Sequence, residues 1–164
     1  MSISPVTLVN RTARSRGAVG AKALVPRYVE TVALPGQTIL DFGAGPEALH
    51  AKRLKQTGLD VTAYEIGANQ NENHDPTALF RQYDIVFASN VLNVQAHGND
   101  LWGTLFRIRD AVKPGGFAVL NYPESPRKLP LNTAQMERIV YIVFTHVLER
   151  VAGTVRAPVW KVVK

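Results

Sequence analysis

The stretch Ile39-Leu40-Asp41-Phe42-Gly43-Ala44-Gly45-Pro46 decides the fold of this chain. An apolar run ends in an acid and then turns through two glycines that stand one residue apart. Glycine tolerates the left-handed backbone of such a turn, and its missing Cβ lets a ligand approach the backbone closely. The third glycine of a dinucleotide-binding fingerprint is absent, because Pro46 follows the second one. The stretch therefore predicts a buried strand and a turn that holds a nucleotide-like ligand.

A second acid supports that interpretation. Residues 60–65 are typical of a second strand, and this strand ends in Glu65. In nucleotide-binding α/β folds, a carboxylate at this place accepts hydrogen bonds from ribose hydroxyl groups. The alternative is an ordinary turn beside a strand that ends in a polar residue.

The rest of the chain alternates helical and strand patterns, which predicts an α/β fold with a mostly parallel sheet. Helices are predicted at residues 18–33, 47–57, 99–112 and 133–145, and strands at residues 38–42, 60–65, 83–90, 116–122, 147–152 and 158–163. Pro26 is expected to bend or restart the first helix, and Asn99 or Asp100 to cap the third. The last two strands should form a hairpin that closes the sheet with an antiparallel strand.

Length and composition indicate one globular domain that spans residues 1–164, with 46% apolar and 20% charged residues. No apolar run approaches a membrane span, and the N-terminus lacks the order of a signal peptide, so we expect a cytoplasmic protein. The chain has no cysteine, which excludes disulfides, thiolate metal sites and cysteine nucleophiles. Its four histidines lack metal-ligand spacing, so we predict no metal site.

Charge is distributed unevenly along the chain. Residues 1–29 hold five bases and no acid, residues 30–124 hold seven bases and eleven acids, and residues 125–164 hold seven bases and two acids. Two basic ends thus flank an acidic middle. If the ends meet near the ligand site, they form a positive rim suited to a polyanion. The alternative is an ordinary solvated basic surface.

Together, these motifs resemble those of the class I S-adenosylmethionine-dependent methyltransferases. Residues 41–45 look like the first motif of that family, Glu65 like its ribose-binding acid, and residues 113–116 like the turn before its fifth strand. The resemblance implies a Rossmann-like fold and S-adenosylmethionine as cofactor. We also expect that a side chain introduced at Gly43 would occupy space needed by the ligand. The resemblance assigns to the cofactor site Asp41, Phe42, Gly43, Ala44, Gly45, Glu65, Ile66, Asp75, Pro76, Ser89 and Asn90.

The chain departs from the family between the second and fourth strands. Only eighteen residues separate Glu65 from Asp84, and residues 69–74 are polar, so the third strand should be shortened or lost. Asp75 and Pro76 resemble the family's contacts to the adenine ring. The alternative is that Asp75 caps a short helix at residues 76–80.

Candidate catalytic residues stand where strands end, since open α/β sheets bind ligands outside the carboxyl ends of their strands. These are Asn90, Asn93 and Tyr122. In amino-methyltransferases that act on DNA, the residue at the position of Asn90 precedes two prolines and an aromatic residue, which this chain lacks. A cytosine-C5 enzyme is excluded, because it needs a cysteine nucleophile. The alternative for Asn90 is a helix cap beneath the cofactor.

The run at residues 89–94 and the compact size also resemble small methyltransferase-like proteins of phages and bacterial DNA-modification clusters. This resemblance implies a nucleic-acid substrate, with DNA preferred. Residues 1–17 are predicted to form a basic arm, and we expect Arg14, Arg16, Arg127 and Lys128 to contact phosphates. Target recognition then requires loops, a homodimer or a partner. A small-molecule or protein acceptor, or a non-catalytic cofactor-binding protein, are the alternatives.

Overall fold

The computed structural model describes residues 23–164, which form a six-stranded sheet with helices on both faces. The helices are α1 (Leu24–Val32), α2 (Leu49–Gln56), α3 (Gly98–Ala111) and α4 (Thr133–Phe144). The strands are β1 (Thr38–Phe42), β2 (Asp60–Tyr64), β3 (Tyr83–Ala88), β4 (Val112–Asn121), β5 (Glu149–Gly153) and β6 (Pro158–Val163). Short 3₁₀ turns lie at Gly67–Asn69, Ala78–Phe80 and Leu92–Val94.

The strand order is β2-β1-β3-β4-β6-β5. Strands β2, β1, β3 and β4 are parallel, β6 is antiparallel to β4, and β5 is antiparallel to β6. The predicted α/β, mostly parallel, Rossmann-like fold with an antiparallel C-terminal strand is confirmed. The carboxyl ends of β1 to β4 meet at one edge, where this class of sheet binds ligands.

The predicted loss of the third strand is also confirmed. Between β2 and β3 the chain forms only 3₁₀ turns and loop, so β2 lies at the edge of the sheet. The N–H of Asp75 donates to the carbonyl of Ala63 at 2.9 Å, and the Arg81 guanidinium donates to Thr62 Oγ1 at 3.1 Å. Irregular chain therefore lies along part of the edge that a third strand would occupy.

Each face of the sheet buries its own apolar cluster, as expected for strands whose side chains alternate between faces. On one face Leu40 and Val86 pack with α3 and α4, and on the other Ile39 and Ile85 pack with α1 and α2. This three-layer packing holds the central strands firmly. Within residues 23–164, no helix has the length and apolar character required to cross a membrane.

Several helix boundaries differ from the sequence-based expectation. Pro26 lies in the first turn of α1, which begins at Leu24, and proline is tolerated there because its missing N–H has no helical partner. Residues 18–22 of that predicted helix lie outside the part that the structure describes. Helix α2 begins only at Leu49, because Ala48 adopts a left-handed conformation with φ of 48°.

The predicted cap of α3 is wrong. The helix begins at Gly98, its N-cap residue is the extended His97, and no side chain makes a cap hydrogen bond. Asn99 and Asp100 both lie inside the first turn, where the Asp100 carboxylate can still interact favourably with the helix dipole.

Candidate cofactor and active site

Residues 43–46, which we call the glycine turn, follow β1 directly. The N–H groups of Gly43 and Ala44 both donate to the carbonyl of Tyr64, at 3.0 and 2.9 Å. Gly43 and Gly45 have φ of 76° and 77°, a region that L side chains rarely adopt. The turn therefore needs both glycines and is anchored to the end of β2.

The two glycines have different surroundings. A Cβ at Gly45 would meet no heavy atom of residues 23–164 within 4 Å, whereas a Cβ at Gly43 would lie 2.7 Å from Val91 Cγ2. The prediction that a side chain at Gly43 would occupy ligand space is therefore wrong, because Val91 packs against the turn there. The open face of the turn lies at Gly45.

Glu65 converges on that same glycine. Its Oε2 accepts from the N–H of Gly45 at 2.9 Å, and its Oε1 accepts from the N–H of Ile66 at 2.8 Å. The side chain is 7% exposed, so the carboxylate is fixed at the end of β2. A carboxylate has about four lone-pair sites, and two remain for a pair of ligand hydroxyls.

Asp41 lies near the end of β1 and is fully buried. Its carboxyl accepts a hydrogen bond from the N–H of Ala51 in α2, and its Oδ2 has no partner within residues 23–164. Burial, and to a lesser degree the charge of Glu65, raises the pKa of Asp41 to about 8 although the Ala51 hydrogen bond lowers it. At neutral pH this acid is mainly protonated, and a bound cation would favour its ionised form.

Asn90 joins the ends of two neighbouring strands. Its N–H donates to Asn121 Oδ1 at 2.7 Å, and Asn121 Nδ2 donates back to Asn90 Oδ1 at 2.9 Å. Asn90 itself has a φ of 57°. The N-cap residue of the following 3₁₀ turn is Val91, so Asn90 is not the cap of that turn. Ser89, beside it, is half-buried.

The pairing with Asn121 was missed by the sequence analysis, although a signal existed. Asn90 and Asn121 stand at the ends of the adjacent parallel strands β3 and β4. Two carboxamides at such positions can pair across the sheet, since their strand ends lie side by side.

Asn93 connects two loops. Its Nδ2 donates to the carbonyl of Pro126 at 3.0 Å, and its carbonyl accepts from the N–H of Lys128 at 2.9 Å. The residue is 3% exposed, and its Oδ1 has no partner in the described part of the chain. This geometry supports a role in holding residues 123–131, the loop after β4, against the 3₁₀ turn rather than a catalytic role.

Tyr122 and Arg127 are also occupied within that loop. The Tyr122 hydroxyl donates to the carbonyl of Leu131 at 2.7 Å, and the Arg127 guanidinium lies 3.9 Å from the centre of the tyrosine ring. Arg127 further donates to the carbonyls of Tyr122, Pro123 and Arg156 and to the hydroxyl of Thr133.

These contacts argue against the predicted catalytic role of Tyr122 and the predicted phosphate contact of Arg127. A loop with little backbone-to-backbone pairing needs side chains to satisfy its carbonyls, and the prolines of this one supply no N–H. Lys128, in contrast, is exposed. Arg14 and Arg16 lie outside the described residues.

Asp75 is engaged in a local turn. Its Oδ1 accepts from the N–H and hydroxyl of Thr77 at 2.8 and 2.7 Å, and its Oδ2 pairs with Arg81 at 3.0 Å. The Thr77 hydrogen bonds, followed by Arg81, hold the pKa of Asp75 below its usual value. The carboxylate of Asp75 is thus engaged in a local turn, and Pro76 beside it is exposed. In place of the short helix at residues 76–80 that Asp75 would cap, the structure has a 3₁₀ turn at Ala78–Phe80 whose N-cap residue is Thr77.

Residues 14–150 match the family described by the name Methyltransferase domain, which is well over half of the chain. The chain belongs to this methyltransferase family. Among curated proteins, no sequence matches this methyltransferase domain.

Several solved methyltransferase structures share the fold at low sequence identity. A TehB-like SAM-dependent methyltransferase from Corynebacterium glutamicum is 16% identical, with a TM-score of 0.66 over 85% of this chain and 86% of that one. Magnesium protoporphyrin IX methyltransferase from Synechocystis is 15% identical, with a TM-score of 0.63 over 99% of both chains. The T. thermophilus 16S rRNA N2 G1207 methyltransferase is 17% identical, with a TM-score of 0.62 over 92% of this chain and 45% of that one.

The described part of the methyltransferase domain contains no group of three or more His, Cys, Asp or Glu residues that could hold a metal ion. It does contain polar contacts to the glycine turn that the sequence analysis missed. They come from residues 69–74, which that analysis treated only as polar loop. Asparagine and histidine side chains in this segment donate toward the turn, a feature that composition alone does not reveal.

Proposed function

We propose that this methyltransferase domain binds S-adenosylmethionine at the carboxyl ends of β1, β2 and β3. The observation that carries the proposal is the position of Glu65. Its carboxylate accepts a hydrogen bond from the N–H of Gly45, and a Cβ on that glycine would meet no heavy atom of residues 23–164 within 4 Å. The carboxylate retains acceptor sites for two hydroxyl groups. A ribose carries such a pair of hydroxyls. The residues present therefore fit this cofactor.

Other residues around the glycine turn suit the remaining parts of the molecule. We assign Glu65 to the ribose, and we expect the cofactor to lie along the open backbone of residues 43–45. We assign a charge-balancing role to Asp41. Its raised pKa means that a nearby ligand cation would stabilise the ionised carboxylate. Phe42, Ile66, Ser89 and Asn90 complete the proposed site, whereas Asp75 and Pro76 are weaker candidates because the Asp75 carboxylate is already occupied.

When bound, S-adenosylmethionine supplies an electrophilic methyl group on a sulfonium. The task of the chain is then to hold cofactor and acceptor in line, which can lower the barrier by several kcal/mol without a covalent enzyme intermediate. The Asn90–Asn121 pair supports this task, because it fixes the ends of β3 and β4 relative to each other. Carboxamide oxygens at these ends also favour a cationic ligand over a neutral one.

For the acceptor we propose nucleic acid, and DNA in particular. The support is the charge distribution, with five bases and no acid in residues 1–29 and seven bases against two acids in residues 125–164. Exposed Lys128 and Arg156 lie on the loop after β4 and between β5 and β6. The resemblance of residues 89–94 to small phage and DNA-modification methyltransferases points the same way. Target recognition would come from loops, a homodimer or a partner.

A small-molecule acceptor is the second candidate, and one observation favours it. Arg127, expected on the basic rim, makes its hydrogen bonds to protein carbonyls and to the Thr133 hydroxyl. In addition, the magnesium protoporphyrin IX methyltransferase aligns over 99% of both chains, so a fold of this size serves a small acceptor in that protein.

The test is incubation with methyl-labelled S-adenosylmethionine and separate pools of DNA, RNA, protein and small metabolites. We expect label in DNA with the native protein and less label with Glu65→Ala when the cofactor is below saturation. If label enters only the metabolite pool or only the protein pool, the acceptor is a small molecule or a protein rather than DNA. Absence of label from all pools, despite measurable cofactor binding, would favour the non-catalytic alternative.

A further inference from the structure

Three consecutive peptide groups of the glycine turn are held by side chains from residues 65–74. The N–H of Gly45 donates to Glu65, the carbonyl of Gly45 contacts His74 Nε2 at 2.7 Å, and the carbonyl of Pro46 accepts two further hydrogen bonds. This segment occupies the place in the chain between β2 and β3 where the third strand is missing. The side chains from residues 65–74 that contact the glycine turn, which we call the brace, thus lie where the chain would otherwise form a third strand.

His74 is a buried part of this brace, at 7% exposure. Its Nδ1 accepts from the N–H of Asn71 at 3.1 Å, and an N–H can only donate. The proton of the neutral ring must therefore lie on Nε2, which donates to the carbonyl of Gly45. Both ring nitrogens are used, so the ring has one orientation and one tautomer.

Two asparagines complete the brace. Asn71 Nδ2 and Asn73 Nδ2 both donate to the carbonyl of Pro46, at 2.8 and 3.0 Å. Pro46 has no N–H, so its carbonyl is the only main-chain hydrogen-bonding group that this residue offers. The segment is itself closed by a hydrogen bond from the N–H of Asn73 to Asn71 Oδ1.

We propose that His74 is a positioning residue for cofactor binding, acting through the carbonyl of Gly45, with Asn71 and Asn73 supporting it. This inference rests on the proposed function, since the turn that it positions is the proposed cofactor site. Glycine has the greatest backbone freedom of any residue, so Gly45 needs external contacts to remain in one conformation. Preorganising a binding loop improves affinity by removing the ordering cost from the binding step.

The expected effect is on cofactor affinity rather than on the chemical step. Removing the imidazole donor should weaken S-adenosylmethionine binding about tenfold, the change expected for one lost buried hydrogen bond. The KM for the cofactor should rise by a similar factor, with kcat at saturating cofactor changed less than about twofold. A residue that acted only through overall stability would not produce this separation.

The experiment compares His74→Phe, which has no donor, with His74→Gln, which keeps an N–H donor at about the reach of Nε2. His97→Phe is the matched control, because His97 is an exposed histidine before α3. Each protein is titrated with S-adenosylmethionine by calorimetry, after urea unfolding has shown that it is folded under those conditions. We expect weak binding for His74→Phe, recovery of at least half of the logarithmic loss for His74→Gln, and native affinity for His97→Phe.

Asn73→Ala covers the case in which His74→Phe does not fold, because Asn73 lies nearer the surface and loses only one donor to Pro46. It should weaken binding about two- to fourfold. Native affinity in folded His74→Phe, or equal weakness of His74→Gln and His74→Phe, would overturn the proposal, as would native affinity in Asn73→Ala. If the unmodified protein itself fails to bind S-adenosylmethionine, the proposed function fails. If it binds and the substitutions leave the affinity unchanged, only the role of His74 fails, so the two failures are distinguishable.

Discussion

Replacing Asp41 by asparagine should flatten the fall in stability of this domain as the pH rises. In the folded state the carboxyl is fully buried and its pKa is raised to about 8, mainly by desolvation. In the unfolded chain it returns to its ordinary value near 3.8. Between these values the folded state binds one more proton than the unfolded state. The stabilisation is therefore complete below the lower value and is lost as the pH rises through the higher one.

The size of the effect follows from proton linkage. A difference of one bound proton changes the free energy of unfolding by roughly 1 to 2 kcal/mol for each pH unit. Between about pH 5.5 and pH 7.5, the native protein should lose about 3 kcal/mol relative to Asp41→Asn. Asparagine has nearly the same shape as aspartic acid but does not titrate. Any pH-independent cost of the new amide therefore changes the free energy of unfolding equally at the two pH values.

The measurement is urea unfolding of both proteins, without cofactor, at several pH values across this interval. The two proteins differ only at residue 41, so contributions from the rest of the chain cancel in the difference. The reasoning is refuted if the difference in unfolding free energy between the two proteins stays constant to within about 0.5 kcal/mol from pH 5.5 to pH 7.5. Asp41 would then be ionised in the folded state and compensated by a group not identified by these contacts.

Three further predictions concern the turn, the loop after β4 and the basic arm. Gly43→Val should lower both stability and cofactor affinity, by about 2 kcal/mol or more in unfolding free energy, because its Cβ would collide with Val91; unfolding and calorimetry on one preparation measure both. Tyr122→Phe should cost about 1 kcal/mol in stability and leave kcat within about twofold, since its hydroxyl donates to the carbonyl of half-buried Leu131; a kcat loss of about a hundredfold in folded protein would restore its catalytic role. Replacing Arg14 and Arg16 together by alanine should reduce the slope of log DNA affinity against log salt by about two phosphate contacts, as measured by fluorescence anisotropy at several salt concentrations; an unchanged slope would exclude the arm from phosphate binding.

The features that the sequence could predict are those that depend on the order and spacing of residues along the chain. The strand, acid and glycine pattern at residues 38–45 and the acid at Glu65 depend on chain direction and spacing, and the structure places them together. The loss of the third strand was predictable because the intervening segment is too short and too polar to build one.

The side chains of the loop after β4 could not be assigned in the same way. The partners of Arg127 include Thr133 at the start of α4 and the carbonyl of Arg156, 29 residues along the chain. Asn93 likewise meets Pro126 only because the loop folds back onto the 3₁₀ turn. Such contacts follow from tertiary packing, so residue type alone suggested catalysis or phosphate binding where the structure has loop support.

The central claim is that Glu65 and the open face of Gly45 hold S-adenosylmethionine, and calorimetric titration tests it most directly. The native protein should bind S-adenosylmethionine with a Kd of about micromolar to millimolar, and should not bind NAD. Glu65→Ala should weaken binding by about 1–3 kcal/mol, about five- to 150-fold, because a hydroxyl pair loses its acceptor. Glu72→Ala, an exposed acid in the same segment, should leave the affinity unchanged. Binding of NAD, or native affinity for S-adenosylmethionine in folded Glu65→Ala, would contradict the account.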